Sequence, residues 1–279
     1  MFIITLFFAV SKITFSQNSD VSDNDFFVFK KKIPGNFSYF NVDMLNNVFL
    51  ISQDNQLLKL NESGDIVAVF NELMKFGKPS LIDVSNPLKI LVYYKNYGNL
   101  LTLDKLLSVR NAVNLKSKNL FSVRSVAASY DNNIWVYDEQ YFKIKKFDDQ
   151  FNLLLESPDI SLLAENTKVS IQNTQPSPLQ LLDYDKQVFL YDKTQGFYIF
   201  DSYGSYKNNL PFKNWNNVAI NNKTMFGFSN DTLFSYNIES LSLQEYKLPS
   251  GINNFKSIKA VNGNLYILKK DGLEIYQIK

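Results

Sequence analysis

Four aspartates, Asp43, Asp83, Asp131 and Asp183, recur near the ends of the first strands of a repeated turn–strand pattern. A ring of such carboxylates could bind Ca²⁺ through oxygen ligands. It could also supply an acid and a base for glycoside cleavage, which asks for two carboxyl groups roughly 5–10 Å apart. Asn86 and Arg124 complete the set of candidate channel-mouth or loop-binding residues. Asn86 opens an Asn86-Pro87 turn in the least repeat-like segment, and Arg124 begins the third unit. The competing reading of the aspartates is structural. Asp and Asn cap backbone groups at hairpin turns and tolerate the dihedrals required there. Their recurrence in one local context favours turn chemistry over a site. No D-x-D-x-D-G calcium-loop spacing occurs anywhere.

Absences narrow the chemistry further. The chain has neither His nor Cys. It therefore carries no Ser-His-Asp triad, Cys nucleophile, His-ligated zinc or His-ligated haem. No phosphate-binding glycine loop is present, so no resident cofactor is expected. The formal charge of +2, with Lys and Asp scattered throughout, gives no basic patch for nucleic acid and no polybasic membrane anchor.

Phe2 to Val10 is an apolar run of signal-peptide length, followed by small residues at Thr14 and Ser16, although nothing basic precedes it. Residues 1–16 are read as a signal peptide and 17–25 as a short tail. The run is too short to span a bilayer, which needs about 20 apolar residues, and the mature chain is expected to hold no transmembrane segment. Asn36, Asn61, Asn222 and Asn230 open Asn-x-Ser/Thr triplets, and Asp231-Thr232-Leu233 resembles an O-glycosylation site of exported Bacteroidota proteins.

The elements that must position these residues announce themselves by repetition. Asp131-Asn132-Asn133-Ile134-Trp135-Val136-Tyr137 is echoed at Asp185–Tyr191, Asn222–Phe228, Asn46–Ile51 and Gly263–Leu268. Turn signals followed by aromatic-apolar strands, at a period of roughly 40–45 residues, mark a β-propeller. Units are read at Ser38–Phe70, Ser80–Leu115, Arg124–Glu156, Leu179–Leu210 and Asn217–Leu248. A sixth starts near Ser257 and ends after three strands. The run Phe26–Ile33 belongs to no other unit and is expected to complete that last blade, because an unpaired edge would otherwise remain. The prediction is one all-β domain over 26–279, a six-bladed propeller of four-stranded antiparallel blades. The long connection Ser157–Pro178 includes a helix-compatible stretch, Ile160–Glu165, and Asn71–Lys78 is read as a second short helical turn. Trp215 is read as filler between blades rather than a partner anchor.

Ile82-Asp83-Val84-Ser85-Asn86-Pro87-Leu88-Lys89-Ile90-Leu91, Ser129–Asp138 and Asp201-Ser202-Tyr203-Gly204 resemble an uncharacterised family of exported six-bladed propellers of the Bacteroidota. The blades look more distantly like NHL and TolB-like propellers. The resemblance implies a fold and an exported location, periplasmic or at the cell surface, and transfers no catalytic residues. Streptogramin-lyase-like propellers use histidine and match poorly. With Arg110 and Arg124 as the only arginines, the triple-arginine clamp of sialidase propellers cannot be built. The expected function is a non-catalytic module that binds an envelope protein or glycan, a monomer unless built into a larger complex. The alternative is a carboxylate-based or Ca²⁺-assisted glycan hydrolase or lyase with its site in the central channel.

Overall fold

Runs of Val, Ile, Leu and aromatic residues, broken every few positions by Asn, Asp or Gly, cannot sustain a helix but suit short half-buried strands. In the computed structural model, which describes residues 26–164, 177–249, 251–252 and 254–279, every such run is a strand. The signal peptide and tail read at 1–25, and part of the 157–178 connection, lie outside the described residues.

The first strand, β1 (Phe27–Pro34), precedes five complete blades. Blade one holds β2 (Tyr39–Val42), β3 (Val48–Ile51), β4 (Leu57–Leu60) and β5 (Ile66–Phe70). Blade two holds β6 (Leu81–Asn86), β7 (Lys89–Tyr94), β8 (Asn99–Leu103) and β9 (Val109–Asn114), and blade three β10 (Val123–Ala128), β11 (Ile134–Asp138), β12 (Lys143–Phe147) and β13 (Leu153–Glu156). Blade four holds β14 (Gln180–Tyr184), β15 (Gln187–Asp192), β16 (Gly196–Asp201) and β17 (Tyr206–Leu210). Blade five holds β18 (Asn216–Asn221), β19 (Thr224–Ser229), β20 (Thr232–Asn237) and β21 (Ser242–Lys247).

Blade six takes β22 (Ser257–Val261), β23 (Asn264–Lys269) and β24 (Gly272–Ile278) from the C-terminus and β1 from the N-terminus, in the order β1-β24-β23-β22. Phe27 pairs with Ile278 and Pro34 with Gly272, with a bulge between Phe29 and Lys31. The main chain extends the join, because Lys279 N donates to Phe26 O at 3.0 Å. The chain is thus a six-bladed propeller closed through its two ends.

Apolar side chains of adjacent sheets interlock to form the core. Phe49 and Leu57 of blade one pack with Ile90 and Val92 of blade two, and Trp135 and Tyr137 of blade three with Val188, Leu190 and Phe200 of blade four. Trp215 fills the wedge beside blade five, stacked on Phe212 at 4.8 Å and almost fully buried.

Of the two helical places read in the sequence, one forms a helix and one does not. The helix-compatible stretch carries a short helix, α1 (Ser161–Ala164), as read, and Glu165 lies outside the described residues. Asn71–Lys78 forms no helix; consecutive turns carry it, with Lys75 N bonding Glu72 O and Gly77 N bonding Met74 O. A 3-10 turn instead forms at Leu115–Lys118, where the Asn114 side chain accepts from Lys116 N and Ser117 N.

Antiparallel order places the first and third turns of every blade on one face of the ring, and the remaining connections on the other. The two are called here the turn face and the loop face. The irregular segment 83–88 therefore sits on the turn face, and the described ends of the 157–178 connection leave and rejoin the blades on the loop face. The former is an ordinary hairpin: Asn86 pairs with Lys89, so Pro87 and Leu88 alone make the turn, and a register shift falls between Asp83 and Asn86.

Candidate functional site

Asp43 closes the turn after β2. Its Oδ1 accepts from Leu45 N and Asn47 N at 2.9 Å each, and its Oδ2 accepts from Asn47 Nδ2 at 2.8 Å. Asp104 and Asp201 hold their turns by the same two backbone bonds. Three copies of one geometry make Asp43 a turn cap.

Asp83 reaches across to the next blade. Its Oδ2 accepts from Ala128 N at 2.7 Å while Oδ1 accepts from Ser85 N at 2.9 Å. Asn86 likewise leans on blade three, donating from Nδ2 to Asn132 Oδ1 at 3.0 Å. Arg124 stands at the opposite end of the ring. Its Nε donates to Pro178 O, and its Nη1 pairs with Glu139 at 3.1 Å, tying down the end of the long connection.

Asp131 and Asp183 are the two candidates that come together, around Ser129. Ser129 Oγ donates to Asp183 Oδ2 at 2.9 Å, and Trp135 Nε1 donates to the same oxygen at 2.8 Å. Asp183 Oδ1 is buried with no hydrogen-bond partner. Burial pushes the Asp183 carboxyl above its usual range, against the opposing bonds from Trp135 and Ser129. Burial also opposes ionisation of Asp131, but hydrogen bonds from Lys146 and Ser129 outweigh it and hold that carboxyl low. Lys146 Nζ lies 2.5 Å from Asp131 Oδ2 and 4.9 Å from the Trp135 ring centroid. Two carboxylates with opposed shifts resemble an acid–base pair. Here, however, the raised one turns both oxygens into protein and the lowered one is held by a buried lysine. Among the described residues, no group of three or more Asp or Glu is placed to hold a metal ion.

The first strands of all six blades line a central cavity of about 750 Å³. Side chains at these strands stitch each blade to the next. Asn41 Nδ2 donates to Ile82 O at 2.9 Å, and Asp83 and Asp183 make the next two links described above. Gln180 Nε2 donates to Val218 O at 3.2 Å, Asn221 Oδ1 accepts from Asn262 N at 3.0 Å, and Lys259 Nζ donates to Asn41 Oδ1 at 2.6 Å. The last bond closes a ring of six links at the join between blades six and one.

Lys259 escapes a reading based on sequence, since a lysine in a strand suggests solvent. The available signal is alternation: Ile258 and Ala260 are buried in the blade, so Lys259 faces the other way, and on a first strand that way is the channel. Burial pushes its ammonium down to about 8, with the Asp83 charge acting in the opposite direction.

The geometry defines the class, a six-bladed propeller with a polar, cross-linked channel. No family model matches the chain, and no curated protein sequence matches it. Solved structures share the fold at low identity. Virginiamycin B lyase from Staphylococcus aureus is 12% identical over 86% of this chain and 82% of its own, with a TM-score of 0.55. PorZ, a bacterial surface component of the type-IX secretion system of Porphyromonas gingivalis, is 10% identical over 87% of this chain, which spans 31% of PorZ, with a TM-score of 0.55. The β-propeller domain of Cps50 (Swd1) from Myceliophteria thermophila is 8% identical over 91% of this chain and all of its own, with a TM-score of 0.58. At these identities the likeness is one of fold. No helix among the described residues is long and apolar enough to cross a membrane.

Proposed function

We propose that this chain is a non-catalytic, exported interaction module that presents the turn face of its propeller to a protein of the cell envelope. One observation carries the reading. Large apolar side chains stand at the tips of turns on that face: Met44 and Leu45 in blade one, Leu88 and Leu106 in blade two, Tyr130 in blade three and Tyr203 in blade four. Met44 is 66% exposed, Leu88 67% and Tyr203 77%, far more than turn residues need for folding. Exposed apolar groups repeated around one face of a rigid scaffold suit protein recognition. The export half of the proposal is supported by the apolar run at Phe2–Val10, by the resemblance to exported propellers and by the bacterial surface location stated for PorZ.

The test is crosslinking capture from an envelope fraction with wild-type protein and with a Met44→Asp/Leu88→Asp double variant. A specific partner captured by the wild type and lost in the double variant is the expected result. Absence of any specific partner, or equal capture by both proteins, overturns the proposal. The glycan-cleavage alternative draws on the opposed shifts of Asp131 and Asp183. Its signature is a cleavage activity abolished by Asp183→Asn.

A further inference from the structure

Lys259 does more than close the ring of inter-blade links. An ammonium has three N–H donors, and the structure uses one of them, toward Asn41 Oδ1. Lys259 makes no ion pair among the described residues, and it is the only cation among the described residues lining the cavity. The polar groups around it are already spoken for. Asn41 Oδ1 also accepts from Val42 N at 2.9 Å, Asn41 Nδ2 serves Ile82 O, and the Tyr39 hydroxyl donates to the same carbonyl at 3.0 Å. Asp83 accepts a backbone N–H on each oxygen. Farther round the channel, the Tyr184 hydroxyl accepts from Lys223 N, and Gln180 and Asn221 are held in the links to neighbouring blades. These side chains beside Lys259 are thus already hydrogen-bonded, while its amine keeps two unused donors.

A partly buried amine with no direct ion pair, opposed only by the Asp83 carboxylate at a distance, is costly in its charged form. A carboxylate entering the channel would accept the two remaining N–H groups and give the ammonium the direct ion pair it lacks, at the strength of charge-assisted bonds. The space is adequate, since about 750 Å³ admits a molecule of monosaccharide size. Ile220 and Leu182 add apolar wall for a carbon skeleton. We infer that the central channel is a binding site for a small carboxylate-bearing molecule, with Lys259 as its anchoring cation and Asn41 as the residue that positions it. Lys259 and Asn41 lie on first strands rather than at turn tips, while Met44 borders both the channel and the turn-tip surface. The carboxylate site is read out by Lys259→Met and the partner surface by Leu88→Asp, so each can fail without the other.

Calorimetric titration of the purified protein with acetate, succinate and glucuronate, against neutral glucose, tests the inference. At least one carboxylate is expected to bind where glucose does not. Lys259→Met should weaken that binding roughly tenfold or more, the effect of losing a charged hydrogen bond, while Lys259→Arg should retain part of it. A melting curve for each variant separates lost binding from lost folding. If Lys259→Met unfolds the protein, the wild type still decides the matter, through protection of the Lys259 amine from reductive methylation by the bound carboxylate. Binding that does not distinguish carboxylates from glucose, binding unchanged in Lys259→Met, failure of all three acids to bind, or absence of that protection overturns the inference.

Discussion

Asp183 keeps both oxygens inside the protein, and that orientation gives it a recognisable behaviour. Because burial raises its carboxyl in the fold, the protonated form is favoured there. The stability it contributes is present at acid pH and lost as pH rises through the folded value, in a window that opens at the ordinary 3.8. Asp183→Asn is neutral throughout and can still accept from Trp135 and Ser129, so it should melt at or above the wild type at pH 7. Asp183→Leu should lose about 1–3 kcal/mol by orphaning the Trp135 N–H. Thermal melts of both variants across pH check the pair of outcomes. Lys259 has the opposite sign. Its folded value of about 8 lies below the ordinary 10.5, so the unfolded chain holds the extra proton between them and stability rises with pH across that window. Buried tyrosines such as Tyr93, raised by burial, oppose this only once pH passes about 10. The wild-type melting temperature, referenced to Lys259→Met, should therefore climb from pH 8 to pH 10. A flat difference would remove the buried-cation account.

At the scale of elements, blade five depends on a close approach between β19 and the segment that leads into it. A Cβ at Gly227 would lie 2.4 Å from Trp215 Cε3, so Gly227→Ala must displace the indole that fills the wedge. A loss of about 1–3 kcal/mol is expected from such overpacking, readable by urea denaturation, and Trp215 fluorescence should shift with it. Blades were legible in the chain because each carries its own period-2 pattern and its own Asx turn, and Asp43 was readable as a cap for the same reason. The helical turn read at Asn71–Lys78 failed because a few apolar residues at mixed spacing do not tell a 3.6 period from successive turns. Lys259 was illegible for a different reason. Its strand pattern shows only that it faces away from Ile258 and Ala260; the closed ring then decides that this direction is a channel rather than solvent.

At the scale of the whole molecule, closure was legible by bookkeeping, since a three-stranded last blade and an unassigned first run could satisfy each other. The ring is expected to depend on that join more than on any single blade contact. Deleting residues 26–34 should leave β24 an open edge and abolish the cooperative melt, with aggregation visible by size-exclusion chromatography. A circular permutant that links Lys279 to Phe26 by a short spacer, with new ends in the exposed turn at Glu62–Gly64, should by contrast stay folded. The Lys279–Phe26 bond already holds the old ends together.

The same join sets a timetable. The eight residues of β1 leave the ribosome before every other strand of the ring, and the seven of β24, their only sheet partner, after all the others. While the five complete blades are made the opening strand has nothing to pair with, and the ring cannot lock until its last strand is made. A ring of this design stays open by construction, and the completion of its last blade is itself the signal to close.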